Sequence, residues 1–210
     1  MDSYDNTIVA VRNACARIRM RFSTAGDGRL CSAADEEKYL ELLKAELGAG
    51  HVVEIAPPRH WADVTINGIP FNLKLTSCSS ADNSLNKRAI VFTLTGKSVK
   101  DDMNFKDILA HLEPSLWKPV RNKATEYHYI VVNKATGDAL VKSILDIHTY
   151  VPNAALSNVL QINWKNEFLN RDHFIRDEEF HEQGRKLLRT LQTAIRRALA
   201  NLTDFANAEF

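Results

Sequence analysis

The sequence predicts an α/β domain in which a central mixed β-sheet is flanked by helices. Segments of helical periodicity stand near both ends of the chain, whereas the stretch that starts at His51 is extended and rich in β-branched and aromatic residues. The composition, 45% hydrophobic and 25% charged, is that of an ordinary globular protein, and 210 residues can bury a sizeable core. We therefore expect a single domain over residues 1–210.

Two helices are predicted before the sheet. Tyr4–Phe22 spaces apolar residues at the helical period and carries arginines on its other faces, which indicates a basic amphipathic helix. Ser32 is a suitable N-cap for a second helix, Ala33–Leu47, which is expected to end at Gly48.

The remaining elements follow from changes of period along the chain. Strands are predicted for six runs rich in β-branched or aromatic residues: His51–Ile55, Ala62–Ile66, Ile69–Leu75, Ala89–Thr95, Glu126–Asn133 and Ile144–Tyr150. A helix is expected at Asp102–Leu112, a late strand or docking loop at Val159–Trp164, and a long helix from Arg171.

Charge and cysteine content narrow the functional classes only a little. The chain has 27 Lys and Arg residues and 26 Asp and Glu residues, so its net charge of +1 does not indicate a class of binding partner. The three cysteines form no CxxC pair, and no signal peptide or membrane-spanning stretch is recognisable, so we expect a reduced, cytoplasmic protein that is not bound to a membrane. No glycine-rich phosphate loop is present, which argues against a nucleotide cofactor.

A hairpin carries the most specific chemistry. Asn67-Gly68 stands between two extended runs and predicts a two-residue type I′ turn. Counting back from that turn places Asp63 opposite Asn72, and alternation puts Lys74 on the same face. An oxygen-ligated divalent cation such as Mg²⁺ is suited to phosphodiester hydrolysis, with Asp63, the Asn72 amide oxygen and the Leu73 carbonyl as its protein ligands. Lys74 would then orient the attacking water or stabilise the developing negative charge.

The pattern of Asp63, eight residues, then Asn72-Leu73-Lys74 resembles the PD-(D/E)xK nuclease signature found in many type II restriction endonucleases. The resemblance implies a restriction-endonuclease-like fold and Mg²⁺-dependent cleavage of double-stranded DNA at a short site. It places the catalytic core at about residues 33–133 and leaves 134–210 for DNA contact or dimerisation. The family pattern has an acid where this chain has Asn72; an extra acid from the preceding helix, Glu37 or Glu41, is expected to compensate.

Two polar segments are candidates for DNA contact. Asn and Gln side chains suit adenine in the major groove, and small polar or basic residues suit phosphates. The candidates are Ser79, Asn83, Lys87 and Arg88 after the hairpin, and Asn153, Asn158, Gln161 and Asn163 in the later segment. An ordinary polar loop remains the alternative for each segment.

The basic residues of the last helix leave more than one interpretation open. They are Arg185, Lys186, Arg189, Arg196 and Arg197. They would touch phosphates or solvate an outer face, while the apolar stripe of the same helix would support a homodimer, the form suited to palindromic sites.

Three alternatives stay open for the protein. The first is another nuclease of the same fold, for repair or recombination. The second is a DNA-binding module whose site has decayed. The third is a hairpin on which Asp63 and Lys74 form only a solvent-side salt bridge.

Overall fold

The structure is a computed structural model that describes residues 3–23, 28–57, 60–79, 81–83, 87–100, 103–153 and 160–206, with the side chains of 28–32, 105, 201–202 and 204–206 left aside. The chain divides into two compact units, one made of Met1–Ser77 and Lys87–Ile144, the other of Cys78–Asn86 and Leu145–Phe210. The sequence analysis expected a single domain. That expectation depends on how the two units associate, and it stays a prediction.

Within the described ranges, six α-helices and eight strands are numbered in chain order. The helices are α1 (Ser3–Arg17), α2 (Gly28–Leu47), α3 (Lys87–Thr95), α4 (Phe105–Ala110), α5 (Trp164–Leu169) and α6 (Phe180–Ala206). The strands are β1 (Val53–Ile55), β2 (Val64–Ile66), β3 (Ile69–Thr76), β4 (Asp82–Asn83), β5 (His128–Asn133), β6 (Ala139–Ser143), β7 (Tyr150–Pro152) and β8 (Leu160–Ile162).

The first unit contains a five-stranded mixed sheet in the order β1-β2-β3-β5-β6. Strands β3 and β5 are parallel, and every other neighbouring pair is antiparallel. A parallel pair needs a long crossover connection, and α3 and α4 lie in that connection. The predicted α/β class, a central mixed sheet flanked by helices, is confirmed.

The core of this unit lies between α1, α2 and one face of the sheet. The strands contribute buried side chains that alternate along their length, Val64 and Ile66 from β2, and Phe71 and Leu73 from β3. Leu43 and its neighbours at helical spacing on α2 pack into the same cluster. The alternation leaves Asn72 and Lys74 on the opposite face of β3, as the sequence predicts.

Several predicted elements are wrong in type or position. Ala89–Thr95 is part of helix α3, because Ile90, Val91 and Leu94 are buried at helical spacing and that burial outweighs the β-propensity of the run. The strand predicted at Ile144–Tyr150 instead lies at β6, immediately after the turn at Gly137, whose φ is 76°. Helix α2 begins at Gly28, so Ser32 lies within the helix and is not its N-cap.

The second unit is built on a small antiparallel sheet in the order β4-β8-β7, followed by α5 and α6. The late strand expected within Val159–Trp164 is β8. Helix α6 starts at Phe180 rather than at Arg171, and a 3-10 turn, Asp177–Glu179, precedes it. No helix in the described parts of the chain is both long and apolar enough to span a bilayer.

Candidate functional site

The hairpin adopts the predicted register. Asn67 and Gly68 both have positive φ, 50° and 79°, as a type I′ turn requires. Ile66 pairs with Ile69 and Val64 with Phe71, so the next position places Asp63 against Asn72. The turn therefore fixes which side chains oppose one another.

Asp63 is bound tightly to strand β3. Its Oδ2 accepts hydrogen bonds from the Leu73 backbone N–H and from Nδ2 of Asn72, both at 2.7 Å. Its own N–H donates to the Phe71 carbonyl at 2.9 Å. The carboxylate is thus held beside Asn72 and Leu73, two of the ligands predicted for a metal.

Burial raises the pKa of the Asp63 carboxyl above its ordinary value, although the Leu73 N–H and the charges of Lys74 and His60 act in the opposite direction. Among the described residues Lys74, which is half-buried, has no hydrogen bond or ion pair through its side chain. A solvent-side salt bridge between Asp63 and Lys74, the alternative interpretation of the hairpin, is therefore absent from the described part of the chain.

Asn72 presents an acceptor with no donor. Its Nδ2 donates to Asp63, while its Oδ1 is buried and has no hydrogen-bond partner among the described residues. A buried acceptor without a donor costs free energy, and a bound cation is one way to remove that cost. Asp63, the Asn72 oxygen and the Leu73 carbonyl are all oxygen donors, which is the ligand chemistry that Mg²⁺ prefers.

Across the described residues no three His, Cys, Asp or Glu side chains gather in a way that could hold a metal ion. A cation at this hairpin would therefore depend on one carboxylate together with amide and carbonyl oxygens. The donor set fits a hard cation in kind, with one negative charge fewer than a pair of carboxylates would supply.

Two residues that the sequence analysis missed extend the same sheet face. Asn72 pairs with Tyr129 on β5, and Tyr129 pairs with Lys142 on β6, so the three side chains share a face. Tyr129 and Lys142 are each 1% exposed. Burial and the charge of Asp63 raise the pKa of Tyr129. These three side chains form a row across β3, β5 and β6. Because these strands come from distant segments of the chain, no local sequence pattern could predict the row.

His60 and Trp61 lie at the entrance to the hairpin. The charge of His60 acts on the Asp63 carboxyl. Trp61 stacks on Tyr127, with ring centroids 5.5 Å apart, and its carbonyl accepts a hydrogen bond from the Tyr127 hydroxyl at 2.8 Å. His60 stands three positions before Asp63, and that proximity in sequence is the signal that would have suggested it.

The two glutamates of α2 that were expected to compensate for Asn72 do not lie at Asp63. Glu37 and Glu41 are exposed on α2, and neither contributes to the electrostatics at the Asp63 carboxyl. The physical reason is that α2 packs on the apolar face of the sheet, opposite Asn72 and Lys74. The structure thus offers no compensating carboxylate from α2.

The residues predicted for DNA contact do not all lie together. In the second unit Asn153 donates from Nδ2 to Oδ1 of Asn83 at 2.7 Å, and Asn83 pairs with Gln161 across β4 and β8. Asn163 instead caps α5, since its Oδ1 accepts from the Asn166 N–H at 3.1 Å. Asn158 lies outside the described residues.

The remaining three candidates follow the hairpin in sequence. Ser79 is exposed in the second unit. Lys87 and Arg88 start α3 in the first unit, where burial lowers the pKa of Lys87. The structure therefore gathers the three amides Asn83, Asn153 and Gln161, but it does not gather the whole predicted set.

The hairpin supplies one carboxylate, one buried amide oxygen without a donor, and one lysine on the same sheet face. Carboxylate and amide oxygens are ligands of the kind that a hard cation takes, and an ammonium is a donor of the kind that a phosphate oxygen accepts. Comparison with models of protein families, with curated proteins and with solved structures finds no match for this chain.

Proposed function

We propose that the first unit is a Mg²⁺-dependent nuclease that cleaves double-stranded DNA, and that the protein is a type II restriction endonuclease. The observation that carries the proposal is the buried Asn72 Oδ1, which has no hydrogen-bond donor among the described residues and lies next to the Asp63 carboxylate, on the same face as Lys74. In a purely structural hairpin this buried oxygen would cost free energy, whereas a bound cation would compensate for that cost.

Each residue has a definite part in this proposal. Asp63, Asn72 and the Leu73 carbonyl would hold the cation. Mg²⁺, when bound, polarises the scissile phosphate and makes a bound water more acidic. The Lys74 ammonium donates hydrogen bonds to the attacking water or to the phosphate oxygen on which negative charge develops. Burial beside Tyr129 limits the water around Asp63, which strengthens its electrostatic interactions.

The order of elements supports a restriction-endonuclease-like fold. Helix α2 is followed by the antiparallel strands β1, β2 and β3, by the short strand β4 of the second unit, by helical segments, and by β5, parallel to β3. The resemblance to PD-(D/E)xK nucleases leads us to expect a helix, the hairpin, a further strand, a helix and another strand. The further strand is replaced here by α3, and the rest of the order is kept.

A homodimer is part of the proposal, because two-fold symmetric proteins match palindromic DNA sites. The second unit would supply DNA contacts through the amides of Asn83, Asn153 and Gln161. Asn and Gln side chains can make paired hydrogen bonds to adenine in the major groove.

The test is cleavage of a plasmid of known sequence by the purified full chain, with Mg²⁺ titrated from zero. Wild type is expected to give discrete fragments, and Lys74→Ala to give none, while Lys44→Ala on the exposed side of α2 serves as the matched control. Sequence-independent degradation would instead indicate another nuclease of the same chemistry. A wild-type chain that binds the plasmid but never cuts it would overturn the enzymatic proposal and favour a binding module, consistent with the missing second acid at Asn72.

A further inference from the structure

The second unit contains a cleft of about 630 Å³ that runs beside α6. One side is formed by residues of α6, and the other by His148, Tyr150 and Pro152 around β7, with His173 and Ile175 from the connection before α6. The imidazoles of His148 and His173 are in contact, with ring centroids 3.8 Å apart. A hydrogen bond connects the two sides of the cleft, because Nε2 of Gln183 on α6 donates to the Ile147 carbonyl, next to His148, at 2.7 Å.

Three cations of α6 line this cleft, namely Lys186, Arg189 and Arg197. Their spacings of three and eight residues place them on one helix face, over about 16 Å at 1.5 Å per residue. The two other basic residues considered for this helix, Arg185 and Arg196, are exposed like the three cations of the cleft but are not part of its lining. The basic stripe seen in the sequence thus separates into two groups, one facing the cleft and one outside it.

The cations of the cleft are not compensated within the described chain. Among the described residues the side chains of Lys186, Arg189 and Arg197 have no hydrogen bond or ion pair. The lining contains two acids, Glu179 just before α6 and Glu182 in its first turn. Glu179 is engaged with Arg176, whose guanidinium is 3.1 Å away and whose backbone N–H donates to it at 2.7 Å. The positive charge along the rest of the helix face is therefore available to a ligand.

The other polar groups on this face favour an anionic acceptor. The hydroxyls of Thr190 and Thr193 donate to the carbonyls of Lys186 and Arg189, both at 2.9 Å, so their protons are already used within the helix. Along this face of α6 the donors left to a ligand are the ammonium and guanidinium groups, which match phosphate oxygens. Three cations spread over about 16 Å of helix match a row of phosphates better than a single one, and duplex DNA carries a phosphate every 3.4 Å along each strand.

We propose that the cleft along α6, through Lys186, Arg189 and Arg197, binds the phosphodiester backbone of nucleic acid. This inference deepens the proposed function by naming where the second unit holds the DNA, and it is tested by binding rather than by cleavage. Backbone contacts of this kind position a protein on the duplex without reading its sequence.

The experiment measures binding of the full chain to a fluorescent 20-base-pair duplex by anisotropy, with Ca²⁺ in place of Mg²⁺, over a range of salt concentrations. The triple variant K186A/R189A/R197A is compared with the matched control R185A/R196A, which removes cations from the same helix outside the cleft. We expect at least about tenfold weaker binding for the triple variant, and a salt dependence, as log K against log salt, that is shallower by up to about 2.7, or 0.9 per lost phosphate contact. The control should bind and respond to salt almost as wild type does.

Competition experiments and thermal unfolding complete the test. Inorganic phosphate and polyglutamate serve as competitors, and displacement of the duplex by either at equal charge concentration would overturn the assignment to a nucleic-acid backbone. Losses in proportion to the number of cations removed, three in the triple variant and two in the control, would also overturn it, because the effect would then be one of total charge. Thermal unfolding of each variant verifies that the fold is retained.

Failure here is distinguishable from failure of the proposed function. If wild type cleaves DNA and the triple variant binds as tightly as wild type, only the cleft assignment falls. If the triple variant loses binding but wild type never cleaves, only the nuclease assignment falls.

Discussion

Replacing Asp63 by Ala and by Asn separates the structural role of this carboxylate from its proposed chemical role. Oδ2 accepts from the Leu73 N–H and the Asn72 amide, both at 2.7 Å. Leu73 is 2% exposed, so its N–H cannot be rehydrated when the acceptor is removed, whereas half-buried Asn72 can turn toward water. One buried donor without an acceptor costs about 1–3 kcal/mol.

Asp63→Ala should therefore lower the free energy of unfolding by about 1–3 kcal/mol. At about 2–4 °C per kcal/mol for a chain of this size, the melting temperature should fall by about 2–12 °C. Asp63→Asn keeps an acceptor oxygen and removes a buried charge, so it should be at least as stable as wild type at neutral pH. Neither variant should cleave DNA, because the only carboxylate proposed as a metal ligand is gone.

The assays are differential scanning calorimetry at pH 7.5 and plasmid cleavage in Mg²⁺, with Glu37→Ala on exposed α2 as the control for removal of an acid. Equal melting temperatures for the Ala and Asn variants would refute the hydrogen-bond argument. Cleavage at the wild-type rate by Asp63→Asn would refute the role of Asp63 at the metal.

Three other predictions concern the same unit. Asn72→Asp restores a second carboxylate to the proposed site and should lower the Mg²⁺ concentration needed for half-maximal cleavage by about tenfold, or about 1.4 kcal/mol, whereas an unchanged requirement would mean that position 72 does not touch the metal. Burial raises the pKa of the Asp63 carboxyl in the folded protein above its value in the unfolded chain. The stability that this carboxyl contributes is therefore complete below the unfolded pKa and is lost as pH rises through the folded pKa. The melting temperature of wild type relative to Asp63→Asn should decline over that pH window. The buried ion pair of Arg121 and Glu126, 2.7 Å apart, predicts that Glu126→Ala costs about 3–5 kcal/mol in urea unfolding, and a cost below about 1 kcal/mol would contradict the pair's role.

Local chemistry was enough to predict the hairpin. Asn67 and Gly68 accept positive φ, and a two-residue turn leaves one register for the strands that flank it, so the opposition of Asp63 and Asn72 could be counted from the sequence. The apolar face of β3 followed from simple alternation. Both depend on residues that are neighbours along the chain.

Contacts between distant segments could not be predicted in this way. The row that joins Asn72, Tyr129 and Lys142 depends on a parallel pairing of β3 with β5, which no turn specifies. The run Ala89–Thr95 has the composition of a strand but buries its residues as a helix, because the surroundings supply an apolar surface on which a helical stripe packs.

The amino-acid sequence alone determined the α/β class, the register of the hairpin and the face on which its polar residues lie, because each follows from short-range backbone preferences and from the period of the apolar residues. Tertiary structure decided which groups share a surface. It placed α2 on the apolar face, away from Asp63, and it buried the Asn72 oxygen with no donor in the part of the chain that is described. It also gathered Lys186, Arg189 and Arg197 along one cleft, whose lining does not include Arg185 or Arg196. Such placements depend on packing between segments far apart in the chain, and no local spacing of residues encodes them.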